Sequence, residues 1–211
     1  MLHDEDIREP LFEYLEENYG RVRIFEEKNM GMSRADVVMV GRDYIMGIEI
    51  KSDADNYTRL NRQITDYDRY FDYNIVVVGS RHAASVGEHV PEHWGILSVE
   101  LEGDKIDIYK IRDAAANPHY DIKNKVRFLW RPELAHIQEN CGFPAYKGKS
   151  KEFVREYLVD KLDERELSRL ISEELFERDY TTIAEEIQQY RKAKNPNKRI
   201  RKKKISRRRN V

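Results

Sequence analysis

Ser33–Gly79, SRADVVMVGRDYIMGIEIKSDADNYTRLNRQITDYDRYFDYNIVVVG, is the stretch on which the reading of the whole chain turns. Two apolar runs, Ala35–Val40 and Tyr44–Ile50, have the composition of strands, and Gly41-Arg42-Asp43 between them is short enough for a hairpin turn. Asn56–Asp72 predicts a helix, because Leu60, Ile64, Tyr67 and Phe71 recur at helical spacing and make one apolar stripe. Tyr73–Gly79 then carries Ile75-Val76-Val77-Val78, a continuous apolar run suited to a strand covered on both faces and reached by a crossover helix. Within these runs stand charges that a buried strand should not carry. Asp36 interrupts the first, and Glu49 and Lys51 flank Ile50 at the end of the second. Residues two apart on a strand point the same way, so Glu49 and Lys51 share a face, and a hairpin brings Asp36 within reach of it.

A buried charge costs several kcal/mol unless it is paired or binds a metal. Two carboxylates and a lysine converging at one sheet end suggest a site for a hard divalent cation such as Mg²⁺, which takes one or two carboxylates together with water and phosphate. A competing reading places Asp36 in an ion pair with Arg34, and Glu49 and Lys51 on a solvated edge strand. Asp36, then Glu49-x-Lys51 after an apolar strand, then Gln63-x-x-x-Tyr67 on the following helix, resembles the PD-(D/E)xK nuclease superfamily and the QxxxY motif of its RecB-like members. Ala35 stands where that family's name has proline. The wider string, from Arg34-Ala35-Asp36 through Glu49-Ile50-Lys51-Ser52 and Arg59-Leu60 to Pro91-Glu92-His93-Trp94-Gly95-Ile96, is similar to a branch of small proteins common in phages and mobile elements, over roughly residues 1–175.

The resemblance implies an α/β fold with a restriction-endonuclease-like αβββαβ core, a mixed central sheet and a C-terminal helical appendage. It implies a metal-dependent DNA endonuclease of repair, recombination or mobile-element biology. Asp36, Glu49 and the backbone carbonyl of Ile50 would bind Mg²⁺, with Mn²⁺ as a substitute. Lys51 would sit beside the attacking water, and Gln63 and Tyr67 would orient substrate. Glu27 matches an acidic position of the branch and reads either as a further metal ligand or as a solvated strand end. Tyr67 suits a core role as well as a substrate role. Arg34 and Arg59 are candidates for phosphate contact, whereas Arg62 and Arg69 read first as surface charges, with contact to backbone phosphates as the alternative. A noncatalytic nucleic-acid-binding protein on the same fold is the alternative. Many superfamily members are dimers, so a homodimer is a further expectation.

The chain has 211 residues, 36% of them charged, and a net charge of −1. That balance hides an asymmetry. From Arg191 onward there are 12 Lys or Arg and no acid, which leaves 26 of the 38 basic residues against all 39 acidic ones before it, a net of −13. A basic tail on an acidic body points to a polyanion, so Arg199, Arg201, Lys202, Lys203 and Lys204 are expected to hold DNA, with RNA as a second candidate. The polar start, MLHDEDIREP, and the absence of a long apolar run predict a soluble cytoplasmic protein with no membrane contact. A single cysteine, Cys141, excludes an intrachain disulfide, and the scattered His82, His89 and His93 lack zinc-ligand spacing.

Around the central stretch, Asp4–Asn18 predicts a helix with Ile7, Leu11, Tyr14 and Leu15 on one face, and Glu13, Glu16 and Glu17 in solvent. Arg21–Glu27 predicts a first strand, Arg81–Glu88 a short helix, and Ile96–Leu101 with Ile106–Ile111 a hairpin. Residues 1–113 are thus expected to form the core, with Ala114–Asn124 an irregular linker. Residues 125–178 are expected to form the appendage. Its two helices, Pro132–Glu139 and Glu152–Leu162, flank a glycine-containing basic turn and resemble a SAP-like DNA-binding module, which would make Lys147, Lys149 and Lys151 phosphate contacts. The other reading is a helical pair packed on the core. Asp163 and Glu166 suit a capping box on a further helix. Thr182–Tyr190 extends helically, and 191–211 are expected to be disordered.

Overall fold

In a computed structural model, which describes residues 2–103 and 105–178, the chain opens with helix α1, Asp4–Tyr19. Ile7, Leu11 and Leu15 are its buried stripe, and Gly20 ends it at φ 71°, a backbone angle that glycine adopts without penalty. Three strands follow: β1 Arg23–Met30, β2 Ser33–Val40 and β3 Ile45–Lys51. Then come α2 Leu60–Tyr70, β4 Tyr73–Gly79, the short α3 Ser80–Ala83, β5 Gly95–Glu102 and β6 Lys105–Arg112. All six strands form one sheet in sequence order, antiparallel from β1 to β3, parallel through β4 and β5, and antiparallel again at β6. This is the αβββαβ order with a mixed central sheet, extended by a terminal hairpin.

Several boundaries differ from the sequence reading by a few residues, the helix expected at Arg81–Glu88 is only Ser80–Ala83 with a separate 3-10 turn at Val86–Glu88, and the largest shifts beside the site are at β1 and α2. β1 does not stop at Glu27. Glu26 pairs with Val37 and Lys28 with Ala35 in one unbroken register, so Glu27 stands opposite Asp36 at φ 51° with no residue inserted, and the strand continues to Met30. α2 starts at Leu60 rather than Asn56, and the residues before it form a loop held by side-chain to backbone hydrogen bonds. The Asp55 carboxylate accepts the Ser52 N–H at 2.9 Å, and the Asn56 side chain accepts the Thr58 N–H at 3.0 Å.

The sheet separates two apolar layers. Val37, Met39, Met46, Ile48, Ile50, Ile75, Val77, Leu97 and Val99 face α1. Val38, Val40, Ile45, Val76, Val78 and Ile96 face α2, whose Leu60 and Tyr67 join them together with Phe71 just beyond its end. The continuous run in β4 is therefore divided between the two faces. Trp94, in the loop before β5, is fully buried in the second layer.

That second layer is completed by the C-terminal helices α4 Ile122–Lys125, α5 Arg131–Asn140, α6 Lys151–Lys161 and α7 Glu164–Phe176. Phe128, Leu134, Ile137, Val154, Leu158, Leu167, Ile171 and Leu175 lie in the same apolar cluster as α2, and Met1–Glu177 form one compact unit. Asp163 caps α7 through the N–H groups of Arg165 and Glu166. The Glu166 carboxylate turns to Arg169 rather than closing the expected capping box. Asn117, in the segment read as an irregular linker, donates to the carbonyls of Asp68 and Phe71 at 2.8 and 2.7 Å and so satisfies the end of α2. Arg178–Val211 are a separate unit. The expected Thr182–Tyr190 extension and the basic tail, with Arg199, Arg201, Lys202, Lys203 and Lys204, lie outside the described residues. Among the described residues no helix is long and apolar enough to cross a membrane.

Lys125 is the polar anchor of the C-terminal helices. Its side chain is fully buried, donating to Asp72 Oδ2 and to the Ser168 hydroxyl, both at 2.6 Å, while the same Asp72 oxygen accepts the Ile45 N–H at 2.7 Å. Burial lowers the Lys125 pKa, and Asp72 opposes that shift. Removing one partner of such a pair leaves an uncompensated buried charge. Asp72→Ala is accordingly expected to lower stability to urea by about 3–5 kcal/mol, and Lys125→Met in that background to restore a large part of it.

Candidate active site

At the carboxyl end of β3, where α1 and α2 both begin, a pocket of about 410 Å³ is lined by Asp36, Glu49, Ile50, Lys51 and Gln63, with Asp4, Met32, Ser33, Arg34, Asp55, Arg59 and Arg62 around them. β3 lies between β2 and β4, so Glu49 and Lys51 are not on an edge strand, and Glu49 is 0% exposed. Arg34 pairs with Glu27 at 3.1 Å rather than with Asp36. Both parts of the bland reading are thereby excluded.

Glu49 is held from three directions. Its Oε1 accepts from the Lys51 ammonium and from the Gln63 amide, and its Oε2 accepts the Tyr67 hydroxyl at 2.8 Å. The Lys51 ammonium also donates to Gln63 Oε1 at 3.2 Å. The Tyr67 hydroxyl accepts the Asp36 N–H at 3.3 Å, so one phenol ties β2 to β3. Burial, reinforced by the charges of Glu49 and Asp36, raises the Tyr67 pKa well above its ordinary 10 and keeps it a donor. This geometry depends on Gly47. A Cβ there would stand 2.2 Å from the Phe71 ring and 2.6 Å from the Tyr67 ring, so only glycine lets α2 lie this close to β3.

Asp36 sits where β2 and β3 part. The ladder ends at Val37 and Ile48, and beyond it the Ile50 N–H donates to Asp36 Oδ2 at 2.9 Å. From the α1 side, Arg8 donates to the Asp36 carbonyl at 3.3 Å while pairing with Asp4 and Glu26, each at 2.8 Å. Burial first, and the neighbouring Glu49 charge second, push the Asp36 carboxyl from near 3.8 up to about 7. A buried carboxyl whose ionisation is opposed by burial and by a neighbouring carboxylate is what a divalent cation would relieve.

The donor set fits Mg²⁺. Asp36 has one oxygen beyond the Ile50 contact, and Glu49 Oε2 takes a single hydrogen bond out of the two it can accept. Ile50 lines the pocket while its side chain packs on the α1 face. Among the described residues no group of three or more His, Cys, Asp or Glu is placed to hold a metal. Asp36 and Glu49 are the two carboxylates of the pocket centre, a number that Mg²⁺ sites commonly take from protein.

The other expected residues fall in different places. Glu27 is exposed and does not line the pocket; Arg34 and Arg59 do. Lys147, Lys149 and Lys151 belong to the α5–α6 turn and the start of α6, with Lys149 over the Phe153 ring at 5.0 Å, and none lines the pocket. Glu13, Glu16 and Glu17 are exposed; the α1 carboxylate at the pocket is Asp4. Arg62, read chiefly as a surface charge, also lines the pocket, and Asp4 and Asp55 were not singled out by the sequence. The only signal was position, since each sits within a turn of where a helix begins or a strand ends. His93 Nε2 lies 3.1 Å from the Asp68 carboxylate beside Trp94, and His82 and His89 pack edge-on and tilted against the Tyr57 ring, outside the pocket lining.

The Asp36 shift has a thermodynamic consequence. A folded-state value near 7, above the unfolded 3.8, means the folded protein keeps a proton that the unfolded chain releases. Stability in metal-free buffer therefore falls as pH rises between those values. Asp36→Asn, which retains an oxygen for Ile50 N–H, is expected to raise the metal-free melting temperature at pH 8 by at least about 3 °C, with the gain vanishing near pH 4.

A solved structure, that of Pyrococcus furiosus SfsA in complex with Ca²⁺, is similar to this chain at 15% identity and a TM-score of 0.34, covering 56% of this chain and 63% of that one, less than two thirds of its length. No curated protein matches the chain. The family described as Bacteriophage P4 protein cII matches residues 2–209, and with nearly every position covered the chain belongs to that family.

Proposed function

We propose that this protein is a metal-dependent deoxyribonuclease that hydrolyses phosphodiester bonds within DNA. The observation that carries the proposal is the joint placement of Asp36, Glu49 and Lys51 at one pocket, with Glu49 wholly buried and Lys51 donating to it. A purely structural site has little reason to gather these charges on an interior strand, since well-packed apolar residues would serve stability as well or better. Membership of a family described by a bacteriophage protein suits a mobile-element setting.

In this reading Asp36, Glu49 and the Ile50 carbonyl hold one Mg²⁺, or Mn²⁺ in its place. When bound, the cation supplies Lewis-acid polarisation of the phosphoryl group. The residues of the chain do the rest. Gln63 and Tyr67 hold the Glu49 carboxylate so that it needs no rearrangement during reaction. The Lys51 ammonium is placed to donate to the attacking water and to phosphoryl oxygens as charge builds on them. Arg34, Arg59 and Arg62 on the pocket wall position backbone phosphates, contacts that add affinity without reading sequence. The tail would add salt-sensitive affinity of the same kind.

Incubation of supercoiled plasmid with the purified protein tests this. Nicking or linearisation is expected with Mg²⁺ or Mn²⁺ and not with EDTA. Glu49→Ala and Lys51→Ala should each lower the rate by at least about a hundredfold while Lys51→Ala retains DNA binding. Salt-sensitive binding with no cleavage of duplex, single-stranded or RNA substrates would instead indicate a noncatalytic nucleic-acid-binding protein.

A further inference from the structure

The β1–β2 hairpin closes through two residues, Gly31 and Met32, between the paired Met30 and Ser33. Gly31 has φ 52° and Met32 is not in the positive-φ region, the pattern of a type II′ turn with glycine in the first central position. Nothing in that turn requires an apolar residue at position 32; polar residues are the usual occupants of such tips. Met32 is nevertheless 79% exposed, the most exposed large hydrophobic side chain among the described residues.

This tip is held in place. The Arg62 guanidinium, from α2, donates to the Met32 carbonyl at 2.7 Å. Asp66, one turn further along α2, packs beneath Gly31 so closely that a Cβ there would lie 2.6 Å from its Oδ1. The helix that supplies Gln63 and Tyr67 to the site therefore also fixes the hairpin. Met32 and Ser33 line the same pocket as Asp36, Glu49 and Lys51, with Arg34, Arg59 and Arg62 around them.

An apolar, flexible thioether on a fixed tip, amid guanidinium groups and beside a phosphate-directed site, matches a ligand that alternates anionic groups with flat apolar faces. We infer that Met32 is a wedge that enters the base stack of bound DNA next to the phosphate held in the pocket, unstacking one base step. Apolar side chains, methionine among them, act this way in proteins that kink duplexes, flanked by cationic residues on the backbone. The inference rests on the proposed function for its substrate class. It adds that the substrate is a duplex, deformed at the site, and that steps which unstack easily, such as pyrimidine–purine steps, are preferred.

Permanganate reactivity of thymines in a bound duplex reports unstacking directly, and fluorescence anisotropy at the same salt reports binding. In the Lys51→Ala background, which suppresses cleavage, duplex binding is expected to make thymines reactive. Met32→Ala and Met32→Gln should lower that reactivity by at least about fivefold while weakening binding less than about tenfold, and Met32→Leu should retain both. Binding without thymine reactivity, or with reactivity that Met32→Ala leaves unchanged, overturns the wedge and leaves the proposed function standing. Failure of the Lys51→Ala protein and of the unsubstituted protein to bind duplex overturns both.

Discussion

Glu49 is a carboxylate with no exposure on an interior strand, and the architecture around it follows from the need to satisfy it. Its charge takes a hydrogen bond from Lys51 on its own strand and two from α2, through Gln63 and Tyr67. For those two to reach it, α2 must lie against β3, and the absence of a side chain at Gly47 allows that approach. The same helix then dictates the position of the β1–β2 turn through Arg62 and of β2 through the Tyr67 hydroxyl. One buried charge thus organises two strands, a helix and a hairpin tip.

Such an arrangement is poor engineering for stability alone. The desolvation of two carboxylates and an ammonium is offset only in part by their mutual hydrogen bonds, and Asp36 shows the strain directly in its upward shift toward neutrality. Stability is supplied elsewhere, by the two apolar layers on the faces of the sheet, while the Lys125–Asp72 pair fixes where the C-terminal helices seat on the core. The molecule separates the two tasks in space. The apolar layers lie along the strands, and the charged cluster lies at their end, where the ladder between β2 and β3 opens and the Asp36 side chain takes over the Ile50 N–H.

The C-terminal helices illustrate a limit of reading helical hairpins by pattern. A glycine-containing turn with three lysines reads equally as a nucleic-acid module and as a packing element. In the fold, α4–α7 share one apolar cluster with α2, and Lys147, Lys149 and Lys151 lie apart from the pocket lining. Pattern marked most of these segments as helices but not what they cover, because a helix stripe specifies that it must be buried and not against which partner.

By itself the sequence determined the order of helices and strands, the shared face of Glu49 and Lys51, and the stripe carrying Gln63 and Tyr67, because periods of 2 and 3.6 translate spacing directly into direction. It also determined that Asp36 could join them. Only the tertiary structure decided that β3 is interior, that Arg34 pairs with Glu27, that Asp4, Asp55 and Arg62 reach the pocket, and that Met32 stands at its rim. Those facts depend on strand order, on the register of the β1–β2 hairpin and on how closely α2 can approach Gly47. Each is a matter of contacts between residues distant in the chain, which no local period encodes.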